Sequence, residues 1–207
     1  MRLITKKQAV ITLIEKKGED GNYLENWRPI SLINVDAKIA SKVIATRVIK
    51  VLPEIIHCNQ TGYVKGKFIG EAARSIIIMD VMDYTKKQNI PGILLFIDFE
   101  KAFDSIDWEF MVKCLDVFGF GRSLKGWIET FYKNISSCVI NNGMCTSRFE
   151  IQRGVRQGAP MSTYLFITVA EVLATAIRTT NIQDFKRKEE FKFVQYAVQS
   201  HCVCARY

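Results

Sequence analysis

The chain has 207 residues, and 29 Lys+Arg against 21 Asp+Glu leave a net charge of +8. A hydrophobic fraction of 48% with four Pro and twelve Gly excludes a disordered or fibrous chain, and the length can bury a real core in one large domain or two small ones. The positive excess fits a polyanion partner (nucleic acid, nucleotide or anionic membrane), or a merely basic surface.

Over residues 1–14, Lys6 and Lys7 interrupt short apolar pieces and no small-residue cleavage site follows, so no secretory signal is expected. Residues 8–14 read as a short strand. Residues 16–28 are polar and turn-rich, with Asp20-Gly21 as a tight-turn signal. Asp36 is placed to cap a helix to about Leu52, with an apolar stripe of Ile39, Val43, Ile44, Val48 and Val51, and Pro53 ends it. A second helix is predicted over 70–88, with Lys86 and Lys87 at its end, and Pro91-Gly92 then punctuates. Residues 93–97 are an apolar run, read as a buried strand that ends at Asp98. Asp107 starts another helix, closed by Gly119, and residues 122–133 form a further one. Asn142-Gly143, between 138–141 and 145–151, signals a hairpin because both turn positions want positive φ. A Gly-rich basic loop over 153–160 leads into a helix over 161–179, and 191–195 reads as a short strand. This order predicts an α+β fold with an antiparallel sheet. No internal repeat or low-complexity tract is present.

The longest nearly uncharged stretch, 159–177, is broken by Glu171, so no membrane-spanning helix and no membrane partner are expected. The cysteines are Cys58, Cys114, Cys138, Cys145, Cys202 and Cys204, and the histidines His57 and His201. None of these forms a Cys-x-x-Cys pair, and His201-Cys202-x-Cys204 is too cramped for a zinc site. Dispersed cysteines without a secretory signal read as reduced thiols in an intracellular chain, cytoplasmic or nuclear.

Two segments carry chemistry. In Phe96-Ile97-Asp98-Phe99-Glu100-Lys101-Ala102-Phe103-Asp104 an apolar strand runs straight into a carboxylate. A carboxylate at a sheet edge is costly unless it is hydrogen-bonded, paired or bound to a metal; a helix cap or an ion pair with Lys101 is the plainer alternative. In Arg153-Gly154-Val155-Arg156-Gln157-Gly158-Ala159-Pro160 two arginines and two glycines precede a helix. Glycine admits close backbone approach, arginine pairs with phosphate and a helix start favours anions; a solvated basic turn is the alternative.

Together, in this order and roughly sixty residues apart, these segments resemble a reverse transcriptase, closest to the polymerase domain of non-LTR (long interspersed) retrotransposons. Asn26-Trp27-Arg28-Pro29-Ile30-Ser31-Leu32 resembles the first fingers motif of that family and Gln60-Thr61-Gly62-Tyr63-Val64-Lys65-Gly66-Lys67 its second. Residues 96–107 look like its catalytic strand motif, 153–166 like its next palm motif, and Phe118-Gly119-Phe120-Gly121 with Trp127 match in position between them. The resemblance covers about Val10 to Ala197.

It implies a right-hand polymerase: a fingers-like region over 1–90, then a partial palm over 91–207 with fingers-associated helices and a hairpin over about 120–152, and no thumb. It implies template-directed transfer of deoxynucleotides to a primer 3′ end with two Mg²⁺ ions. The partners would be an RNA template, a DNA primer and deoxynucleoside triphosphates, with the oligomeric state open. Asp98 matches the catalytic carboxylate that binds both ions, and the Phe99 carbonyl a further ligand. Phe103 matches the bulky residue under the sugar, Gln157 and Gly158 the pair lining the nucleotide, and Arg28, Lys65 and Lys67 basic positions of the fingers.

Departures from the family sit at the third palm motif. An aromatic-Ala-Asp-Asp hairpin is replaced by Tyr196, Ala197, Val198 and Gln199, and nothing after Gln199 resembles an apolar return strand. A frame change or aberrant exon end just after Ala197 is the expected origin. Ala159, Met161, Thr163 and Lys67 are milder changes. The expectation is therefore a catalytically defective chain truncated in the palm. Its alternatives are a dead nucleic-acid-binding remnant, or a decayed fragment without a role.

Overall fold

A computed structural model of the chain describes residues 7–67, 75–89, 93–97, 99, 101–179 and 194–198. Its elements in chain order are β1 (Gln8–Glu15), β2 (Trp27–Ile33), α1 (Val35–Ile55), α2 (Ser75–Lys87), β3 (Ile93–Ile97), α3 (Trp108–Val117), α4 (Arg122–Tyr132), β4 (Ser136–Asn141), β5 (Met144–Cys145), β6 (Phe149–Glu150), α5 (Ser162–Thr179) and β7 (Val194–Val198). Helices and sheets are mixed, as an α+β fold requires. The chain divides into two compact units, Met1–Ile55 with Lys101–Val169 and Ile56–Glu100 with Ala170–Tyr207.

The first unit is built on a five-stranded sheet in the order β2-β1-β4-β5, with β6 also on β4. β1 runs antiparallel to β2, in register from Ala9–Ile33 to Glu15–Trp27. Its other side pairs in parallel with β4, from Gln8–Ser136 to Thr12–Ile140. β2 is a strand the sequence did not announce, because Pro29 argues against one. It holds the edge of the sheet, where a residue without an N–H is tolerated. Asn142 (φ 49°) and Gly143 (φ 76°) make the turn between β4 and β5 as the Asn-Gly pair predicts.

α1 departs from expectation at both ends and along its face. Asn34 caps it, not Asp36: its side-chain oxygen accepts the Asp36 N–H at 2.9 Å. Pro53 lies inside the helix instead of ending it. The buried face is Ala37, Ser41, Ile44, Ala45, Val48 and Leu52, while Ile39 and Val43 of the expected stripe are 60% and 52% exposed. α3 begins as predicted, with Asp107 accepting the Phe110 N–H at 2.8 Å. Met111, Cys114 and Leu115 of α3 and Ile128 and Tyr132 of α4 are buried, and the Trp108 and Tyr132 rings meet at 5.7 Å.

In the second unit β3 pairs with β7 in parallel, from Ile93–Val194 to Ile97–Val198. This corrects the antiparallel sheet expected for these strands. Strand direction depends on the path of nearly a hundred intervening residues and leaves no mark in the composition of either strand. The helix expected over 70–88 is α2, with 70–74 outside the described residues. The strand expected over 191–195 is found further on, as β7, with 191–193 outside them. In the part of α5 that belongs to this unit, Arg178 pairs with buried Glu171. Among the described residues no helix is long and apolar enough to cross a membrane.

Candidate functional site

The site is built in the first unit by a turn and a loop. Lys101 takes a positive φ of 50°, and its carbonyl accepts the Asp104 N–H at 2.8 Å and the Ser105 N–H at 3.1 Å. This tight turn presents Phe103 and Asp104. The loop before α5 is sewn to it. The Gly154 N–H donates to the Ile106 carbonyl at 2.7 Å and the Val155 N–H to the Phe103 carbonyl at 2.6 Å. The Trp108 indole donates to the Gly154 carbonyl at 2.8 Å. Gly154 has φ +85°, and a Cβ there would lie 2.9 Å from the Asp104 Cα and carbonyl oxygen. No other residue fits so close to a backbone. The Phe103 ring stacks on Phe166 of α5 with centroids 5.3 Å apart, a spacing at which aromatic pairs attract beyond area burial.

Further along, Arg156 turns inward. It is 9% exposed, its Nη2 donates to the Lys7 carbonyl at 2.7 Å, and its Nε has no partner among the described residues. Burial pushes its pKa down, and neighbouring Tyr132 offsets this in part. Arg156 is thus an anchor of the loop, and Arg153 is its exposed arginine. The Ser162 hydroxyl donates to the Arg156 carbonyl at 2.8 Å. Burial pushes the Tyr132 phenol up to about 12, against the smaller lowering effects of Ser162 and Arg156, and its hydroxyl makes no hydrogen bond of normal geometry.

Gln157 and Gly158 lie along β2. The Ser31 N–H donates to the Gln157 carbonyl at 2.9 Å. Gly158 has φ +106°, and a Cβ would come 2.9 Å from the Ser31 carbonyl oxygen. Ala159 completes a small core cluster with Ala9 and Ile33, and the Met161 N–H donates to the Ser41 hydroxyl of α1 at 3.2 Å. The Gln157 side-chain amide donates to Asp104 Oδ2 at 3.4 Å. Asp104 is exposed, and partial desolvation of its carboxyl raises its pKa, against the lowering effects of Gln157 and Lys101.

The structure therefore brings Phe103, Gln157 and Gly158 together on one backbone network. It adds Ser31, Asp104, Trp108 and Gly154, which sequence reasoning did not assign to the site. The paired glycines signalled a close approach but not its partners. Arg28 is half-buried on β2, opposite Ile14 and three residues before Ser31. Lys65 and Lys67 belong to the second unit. Lys65 is exposed, and the Lys67 ammonium donates to the His57 and Gln60 carbonyls at 3.0 and 3.1 Å. Phe99 is half-buried, and Asp98 and Gln199 lie outside the described residues. Tyr196, Ala197 and Val198 are in β7, with Val198 in register with Ile97. Among the described residues no three His, Cys, Asp or Glu side chains form a group able to hold a metal ion.

A sequence profile described as "Reverse transcriptase (RNA-dependent DNA polymerase)" matches residues 14–197. The chain is 34% identical over 172 residues to the transposon TX1 uncharacterized 149 kDa protein of Xenopus laevis, covering 83% of this chain and 13% of that protein. It is 25% identical over 170 residues to a retrovirus-related Pol polyprotein from the type-1 retrotransposable element R2 of Popillia japonica, covering 82% of this chain and 23% of that protein. It is 26% identical over 165 residues to a putative 115 kDa protein in the type-1 retrotransposable element R1DM of Drosophila melanogaster, covering 79% and 15%. The chain thus spans less than a quarter of the length of each of these relatives.

Proposed function

The chain belongs to the reverse transcriptase (RNA-dependent DNA polymerase) family, of the kind carried by non-LTR retrotransposons, and on that premise we propose that it holds primer, template and nucleotide but no longer completes nucleotide transfer. Its partners in this reading are an RNA template, a DNA primer and deoxynucleoside triphosphates. Residues 1–90 act as fingers and 91–207 as part of a palm. Phe103, braced by Phe166, is the floor under the nucleotide sugar. Gln157 and Gly158 line the nucleotide, held in place by β2 and not by the ligand. Arg28, Arg153 and Lys65 supply positive charge for phosphates.

Two Mg²⁺ ions, where bound in this family, activate the primer hydroxyl and stabilise the charge of an in-line transfer. Such a pair needs several anionic oxygens. The donor set here does not fit it. The Val198 side chain has no ligating atom and Gln199 offers a neutral amide, so Asp98 would stand without its partner carboxylates. The observation that carries this reading is the register of β3 and β7, which aligns Val198 with Ile97, the residue before Asp98. In the sequence, Val198 and Gln199 bring no carboxylate to accompany Asp98. Removing members of a unit that acts together costs several orders of magnitude in rate.

The test is primer extension on an RNA template with Mg²⁺ and excess purified protein. No product is expected, and templated, Mg²⁺-dependent extension overturns the loss of catalysis. A gel shift with the same primer–template tests binding. Three phosphate contacts give a log–log salt slope of about −2.7, or roughly fortyfold weaker binding between 50 and 200 mM salt. An absent or salt-independent shift sinks the binding half of the proposal.

A further inference from the structure

The Gln157 amide is not left to choose its own orientation. Across the loop its Nε2 donates to the Asp104 carboxyl, 3.4 Å from Oδ2. An ionised carboxylate only accepts hydrogen bonds, so it admits the NH₂ end of an amide and repels the carbonyl end. The backbone fixes the partnership. Gly154 lets the loop pass so close to Asp104 that a Cβ there would lie 2.9 Å from the Asp104 Cα, and the Ser31 N–H holds the Gln157 carbonyl. Lys101 acts on Asp104 from its own turn, and the facing loop brings the neutral Gln157 amide, the Gly154 backbone and, next to it in the chain, the exposed Arg153.

We infer that Asp104 is a positioning residue that orients the Gln157 side chain so that its Oε1, an acceptor, is the atom offered to the bound nucleotide. The inference rests on the proposed nucleotide site only for the identity of the ligand. The orientation itself is a property of the free protein. A site so arranged recognises a hydrogen-bond donor on the incoming deoxynucleotide. When Asp104 takes up a proton it becomes a donor, and the amide loses the charge that fixes its direction.

The orientation is read in the nucleotide-free chain by ¹⁵N–¹H spectra of the side-chain amides, with the Gln157 pair identified by its loss in Gln157→Glu. The pair should shift as the Asp104 carboxyl titrates, and should stay flat in Asp104→Asn. A pair that does not move in the wild type, or that moves equally in Asp104→Asn, overturns the inference. Affinity for dATP, measured by titration calorimetry, tests the consequence. Asp104→Leu should weaken it about threefold to tenfold, the worth of one hydrogen bond, and Asp104→Asn, which keeps an acceptor, by less than half that factor. A titrating amide with no dATP binding refutes the nucleotide site and upholds the orientation. Equal weakening by Leu and Asn refutes the role of Asp104 in recognition.

Discussion

Gly154→Ala is the sharpest test of how the loop is held to the turn that presents Phe103. Two costs combine. An L-residue at φ +85° is strained by about 1–2 kcal/mol. The new Cβ would also sit 2.9 Å from two backbone atoms of Asp104 and 3.1 Å from a third. Backbone cannot rotate away as a side-chain tip can, so overpacking adds about 1–3 kcal/mol. The expected loss is about 2–5 kcal/mol. In urea, with a slope of about 2 kcal/mol per molar, the midpoint falls by about 1–2.5 M. Gly143→Ala is the matched control. Gly143 has φ +76° and nothing within 4 Å of a built Cβ, so it bears the conformational cost alone. Equal drops in midpoint for the two variants would refute the close approach at Asp104 as the reason for glycine.

Tyr132→Phe should be level with or up to about 1 kcal/mol more stable than the wild type at neutral pH, because the buried hydroxyl makes no normal hydrogen bond. The folded phenol holds its proton to about 12 while the unfolded one loses it near 10.0. The folded state therefore binds more protons in that window, and wild-type stability falls as pH rises through it. Urea midpoints from pH 7 to 12 should show this extra alkaline decline in the wild type and not in Tyr132→Phe; a matching decline in both speaks against it. Asp107→Ala should cost about 1 kcal/mol through the lost cap on the Phe110 N–H, and a denaturation midpoint unchanged from wild type contradicts that assignment. The double variant Val198→Asp/Gln199→Asp should convert an absent primer-extension signal into a measurable one, and its continued silence would mean that the missing carboxylates are not the whole cause.

The fold was legible where local chemistry decided it and opaque where distance did. Asp107, Gly119 and Asn142-Gly143 mark α3 and the β4–β5 turn through side-chain caps and positive φ alone. The stripe of α1 was misread because two helical faces of similar period run through it. Ile44 and Val48 of the expected stripe are buried with Leu52, whereas Ile39 and Val43 are exposed and the small Ala37, Ser41 and Ala45 complete the buried face in their place. β2 was hidden by Pro29, whose cost vanishes at a sheet edge. In the candidate site, the sequence singled out Phe103, Gln157 and Gly158 but not the groups that hold them. Ser31 reaches Gln157 across more than a hundred residues, and the Trp108 indole reaches Gly154 across 46. Arg156 reads as a phosphate ligand in sequence, yet its burial and its bond to the Lys7 carbonyl make it an internal brace.

On the proposed reading, this separation of supports from chemistry lets a chain keep a nucleotide-lining loop and lose its reaction. The loop around Gln157 is fixed by backbone hydrogen bonds to β2 and to the 101–106 turn, by glycines at 154 and 158 and by the Phe103–Phe166 stack. None of these contacts draws on a carboxylate at 198 or 199. Clustered carboxylates repel one another until a cation arrives, so replacing two of them with valine and glutamine relieves the metal-free fold instead of straining it. Selection for catalysis is what keeps such residues in place; stability does not. On the proposed reading, the framework around Gln157 and the absent donors are therefore not in conflict, and nucleotide binding persists where transfer is lost.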